Sequence, residues 1–190
     1  IIAENIRKSL EISANWYENS NEMRTSFNYI RGLLEQIGIL VMMNGVVGKN
    51  THRALNINEF RAFAMVDEWA PLIFINAIDS QGAKIFSLLH EVVHLLLGEN
   101  DLYNDRYNGI DNVRTTEVIC NAVAAELLVP NLEFLSKWNE KNDATNKDVI
   151  TLVAELAKHF RCGESVIARR ALDNGKIDKL IYKQIIKTGI

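Results

Sequence analysis

The segment Phe86-Ser-Leu-Leu-His-Glu-Val-Val-His-Leu-Leu-Leu-Gly98 holds the residues best suited to chemistry. Four residues along an α-helix turn through about 400°, so His90 and His94 lie about 40° apart on one face, a turn apart. Two imidazoles so placed can ligate one Zn²⁺. Glu91 is displaced about 100° from His90, close enough to reach a metal-bound water without being a ligand. Zinc lowers the pKa of such a water to about 7, and a neighbouring carboxylate can take its proton during attack on a carbonyl. The alternative is a pair of core histidines with satisfied hydrogen bonds. The mid-helix setting, and the fall of two of only four histidines inside the motif, favour the metal.

A catalytic zinc needs a third protein ligand and an open position. One known extension of the motif places a glycine three residues and a histidine six residues past the second histidine. Those positions are Leu97 and Asn100, which excludes it. The other takes a glutamate from a following helix, and EVICNAVAAELLVP (117–130) offers Glu117 and Glu126. Nine residues apart, they lie about 180° apart on a regular helix, so only one can face the metal. Glu117 is preferred. Asn121, one turn on, is placed to hydrogen-bond a zinc-bound imidazole, and Ala122, Ala124 and Ala125 let the helix approach a neighbour closely. Cys120, about 60° from Glu117, is placed where it could approach the metal, but a small buried helix residue is the favoured expectation. Tyr103 and Tyr107 are candidates for stabilising an oxyanion or for anchoring a loop. His52 and His159, without a partner pattern, read as structural or exposed.

These residues need a scaffold. Apolar spacing predicts helices over 4–18 and 22–37, a buried strand over 39–43, and a loop over 44–58. Strands follow at 60–67 and 71–77, the second suited either to an edge that pairs with a peptide or to the core. A long helix over 81–97 ends at Gly98. A polar loop comes next, then helices over 114–128, 131–138, 147–159, 164–172 and 177–187. The order is α+β: helices, a small mixed sheet, then mostly helices. The segment over 147–175 mimics a helix-turn-helix with Arg169 and Arg170 on its second helix. Ile167, Ala168 and Leu172 on that helix favour packing over DNA reading.

Bulk properties limit the function. At 190 residues the chain can bury a real core, and 48% hydrophobic with 24% charged residues is ordinary for a globular protein. A net charge of -3 argues against a chain built to coat nucleic acid or an anionic membrane. No apolar run approaches the roughly 20 residues that span a bilayer. Two cysteines outside any CxxC pattern suit a reducing cytoplasm, and no export signal is visible.

Taken together, FSLLHEVVHLLLG, TTEVICNAVAAELLVP and LAKHFRCGESVIARRALDNGKI resemble the ImmA/IrrE family of metallo-endopeptidases, in order and over roughly residues 25–175. The resemblance implies a zincin-like core with a C-terminal helical tail, zinc at His90, His94 and Glu117, and Glu91 as general base. It implies a protein substrate, a helix-turn-helix transcriptional repressor, in settings such as mobile genetic elements. Relatives often carry an upstream DNA-binding domain, which would be this protein's route to DNA. The expected division is an N-terminal helical segment over 1–24 serving as a linker, the peptidase core over 25–145, and a helix-turn-helix-like tail over 146–190 packed on that core. Many members have glycine before the second histidine, where this chain has Val93. The competing expectation is a sensor or DNA-binding regulator, with structural zinc or none, that hydrolyses nothing.

Overall fold

A computed structural model describes residues 1–13, 15–19, 22–98, 101–103, 111–145 and 148–188. The elements run α1 (Ile2–Ser9), a 3-10 turn (Trp16–Asn19), α2 (Met23–Gln36), β1 (Leu40–Asn44), β2 (Val46–Val47) and β3 (Asn50–Ala54). Then come β4 (Ala62–Met65), β5 (Leu72–Asn76), α3 (Gln81–Leu97), β6 (Asp101–Tyr103) and α4 (Asp111–Leu128). The chain closes with α5 (Asn131–Thr145), α6 (Val149–Phe160), α7 (Glu164–Asp173) and α8 (Lys179–Thr188). This is the expected α+β arrangement.

The four-stranded sheet has the order β1-β5-β4-β6. β1 and β5 are parallel, and β4 runs antiparallel to both β5 and β6. β5 is therefore an interior strand, paired on both sides, which removes the reading of 71–77 as a peptide-binding edge. On one face Val41, Ala62, Ala64, Ile73 and Ile75 are buried, and α3 packs there. On the other, Phe63 and Phe74 stack with ring centroids 5.1 Å apart.

α3 is the central element. Gly82, Lys84, Ile85 and every residue from Ser87 to His94 are buried. The helix is thus enclosed along the stretch that carries the histidines, as a rigid platform for side chains must be, while Leu96 and Leu97 in its last turn are exposed. Full burial of Leu88, Leu89, Val92 and Val93 contributes about 1.5–3 kcal/mol each. The helix start is fixed from the sheet. Asn76 donates to the Phe60 carbonyl at 3.1 Å, Asp79 pairs with Arg61 at 2.8 Å, and Ser80 accepts from the Ala83 amide as N-cap. Gly98, at φ 72°, ends it in the left-handed conformation.

The tail is bonded to this platform by contact rather than tethered beside it. A Cβ at Gly82 would lie 2.7 Å from the Gly163 nitrogen and 2.9 Å from its Cα, in the turn between α6 and α7. Those are backbone atoms and cannot swing away. Gly82→Ala should therefore destabilise the fold by about 1–3 kcal/mol through overpacking, read as a lower urea midpoint at unchanged slope. An unchanged midpoint would show that α3 and the tail separate freely. Buried residues from Ala3 to Ile185 belong to one hydrophobic cluster, Trp16 and Tyr17 included.

Several boundaries differ from expectation. The first helix stops at Ser9, because Glu11 takes φ 52°, where a helix cannot continue. The loop over 44–58 contains the β2–β3 hairpin, turning at Gly48 with φ 58°. The polar segment after Gly98 contributes the short strand β6, and α5 runs on to Thr145.

Candidate metal centre

α3 and α4 pack side by side and bring the predicted residues together. Nε2 of His90 lies 3.0 Å from Nε2 of His94. Glu117, on α4, puts Oε2 3.2 Å from the first of these nitrogens and Oε1 3.1 Å from the second. Both imidazoles are fully buried, and Glu117 is 15% exposed. Burial pushes the Glu117 carboxyl up, but hydrogen bonds from His90 and His94, and their charge, outweigh it and hold it well below the usual carboxylate range.

The donor set fits zinc. Tetrahedral Zn²⁺ with ligand distances of about 2.0–2.1 Å requires donor atoms about 3.3 Å apart, close to the 3.0–3.2 Å seen here. Glu91 is 0% exposed on α3 beside them. Burying a carboxylate so completely costs several kcal/mol, which a cation at the adjoining point would offset.

Glu126 faces the other way and is used in the scaffold. Its Oε2 accepts from Arg170 at 2.6 Å and its Oε1 from the Asn131 amide at 3.2 Å, where α5 begins. Arg7, from α1, donates to the carbonyls of Glu126 and Leu127 at the end of α4. The far end of α4 is thereby clamped by α1 and α7 while Glu117 sits at the histidines. The tail arginines are engaged too: Arg169 pairs with Asp173 at 3.0 Å, and Val166, Ile167, Ala168 and Ala171 of α7 are buried. The apolar face of α7 is thus used in packing, while the Arg169–Asp173 pair lies on its exposed side.

Asn121 is half-buried one turn beyond Glu117. Among the described residues no hydrogen bond reaches His94 Nδ1, so Asn121 does not make the expected bond to that ring. Tyr103 lies on β6 and its side chain is not described; Tyr107 lies outside the described residues. His52 is exposed, and His159 is half-buried against Tyr17 and Phe160. Sequence reasoning undervalued Cys120. It is buried as expected, yet its Sγ and the donor nitrogens of His90 and His94 all lie within 4.8 Å of one another. The signal was its position, one turn of α4 from Glu117.

Residues 34–172 match the family described as the IrrE N-terminal-like domain. The chain belongs to this ImmA/IrrE family of metallopeptidases. The family match runs from α2 through most of α7 and so takes in the first two tail helices as well as the metal centre. Among curated proteins, the radiation response metalloprotease IrrE of Deinococcus radiodurans is 32% identical over 98 residues. That stretch is 50% of this chain and 28% of the relative's length. No single helix among the described residues is long and apolar enough to cross a membrane.

Proposed function

We propose that the chain is a zinc-dependent endopeptidase in which His90, His94 and Glu117 hold the metal and Glu91 is the general base. The observation that supports this most directly is the meeting of two buried imidazole nitrogens and a carboxylate within 3.0–3.2 Å, beside a second buried carboxylate on the same helix. Zinc, when bound, supplies Lewis-acid polarisation of the scissile carbonyl and a more acidic water. Glu91 takes the proton from the attacking water and passes it to the leaving amine. His90 and His94, one turn apart in the buried run from Ser87 to His94, keep their nitrogens fixed, and Glu117 brings the negative charge that matches a divalent cation. Asn121, half-buried one turn beyond Glu117 on α4, is the positioning residue of this reading, orienting a metal-bound imidazole.

The substrate in this reading is a regulatory protein of the cytoplasm, a helix-turn-helix transcriptional repressor being the kind the family resemblance implies. In this reading contact with DNA comes through a separate domain of the kind the family resemblance implies, and Arg170 is engaged with Glu126 in the scaffold.

Elemental analysis of the purified chain beside His94→Ala tests the reading. About one zinc per chain is expected, with loss of it in the variant. No zinc in either protein after incubation with the metal would return the two histidines to a role in core packing.

A further inference from the structure

The proposed centre has one donor more than a catalytic zinc requires. Structural zinc sites are closed by four protein ligands, whereas catalytic ones use three and leave the fourth position for water or substrate. His90, His94 and Glu117 make three. Cys120 follows Glu117 by three residues on α4, hence on nearly the same face, and is fully buried. Its Sγ lies within 4.8 Å of both donor nitrogens. Zinc with about 2.05 Å bonds to nitrogen and about 2.3 Å to sulfur needs a nitrogen–sulfur separation of about 3.6 Å, inside the 4.8 Å within which these atoms lie.

Cys162 shows what an ordinary buried thiol looks like in this protein. It too is fully buried, and burial alone pushes its thiol up. It sits in the turn that meets Gly82, at the other end of α3 from the histidines. Cys120 differs in having ligand nitrogens of two buried imidazoles within 4.8 Å of its sulfur.

We propose that Cys120 is a fourth protein donor to the metal held by His90, His94 and Glu117, closing the site in the resting protein. This rests on the zinc reading above and adds a regulatory state to it. The thiol proton leaves to solvent when sulfur binds, as for any cysteine ligand. The closed state has no position for water, so hydrolysis requires Cys120 to give up its place. The same side chain thus raises metal retention and lowers turnover.

Cobalt(II) substitution separates the possibilities, since a thiolate ligand gives cobalt an intense near-ultraviolet charge-transfer band that nitrogen and oxygen ligands do not. The wild-type chain loaded with cobalt should show the band. Cys120→Ala and Cys120→Ser should bind cobalt without it, and Cys162→Ala should keep it. Metal affinity should fall in the Cys120 variants by at least the roughly 10–100-fold that follows loss of an outer partner, because a direct ligand is removed. Acetohydroxamate, which needs an open position, should perturb the cobalt spectrum at lower concentration in Cys120→Ser than in wild type. Cobalt bound by the wild type with no band, or a band that survives in Cys120→Ser, would overturn the fourth donor while leaving the peptidase reading intact. Failure of the wild type to bind cobalt or zinc at all would overturn both.

Discussion

A Glu91→Gln variant should lose about 10²–10⁴-fold of its peptidase activity, equivalent to about 2.7–5.5 kcal/mol of transition-state stabilisation, while binding zinc as the wild type does. The substitution keeps the shape of the side chain and removes only its ability to accept a proton. Glu91 is buried on the same enclosed stretch of α3 as the two histidines, so the amide is held where the carboxylate was. Its contribution to packing is preserved, and its removal as a base is felt in kcat rather than in KM. Cleavage of a repressor substrate by the two proteins, with metal content measured on the same samples, checks this. Activity retained in Glu91→Gln would remove the proposed base. Activity lost together with the metal would mean that Glu91 supports the site by its charge instead.

The site was largely legible because its geometry is local. The bounds of α3 follow from Ser80 and Gly98, and a 40° offset between His90 and His94 needs only the helical repeat. The same arithmetic set Glu117 and Glu126 on opposite sides of α4. What the sequence could not supply was the partner across space. Glu126 is occupied by Arg170, 44 residues away, and Arg7 reaches the end of α4 from 120 residues back. The helical repeat put Cys120 about 60° from Glu117 and left its approach to the metal open, but its distance from the histidines emerges only when α3 and α4 are packed. The β2–β3 hairpin escaped because all five residues of β3 are exposed, leaving no alternation of apolar and polar positions to detect. β6 is a three-residue strand in a polar segment and owes its existence to pairing with β4.

The choice between the two glutamates gives the second large effect. Glu117→Gln should weaken zinc binding by more than the roughly 10–100-fold that follows loss of an outer partner, because it removes a ligand charge. Peptidase activity should fall with it. Glu126→Gln should keep zinc and activity but cost about 1–2 kcal/mol of stability, between the values for exposed and for buried ion pairs, since Glu126 is 40% and Arg170 13% exposed. The contrast is diagnostic because the two residues share one helix and one chemistry and differ only in the direction they face. Zinc stabilises whichever protein binds it by mass action. Added zinc should therefore raise the melting temperature of wild type and Glu126→Gln at concentrations well below those needed to raise that of Glu117→Gln. If zinc still stabilised Glu117→Gln and failed to stabilise Glu126→Gln, the ligand assignment on α4 would be wrong. The metal would then have to sit away from the point where His90, His94 and Glu117 converge.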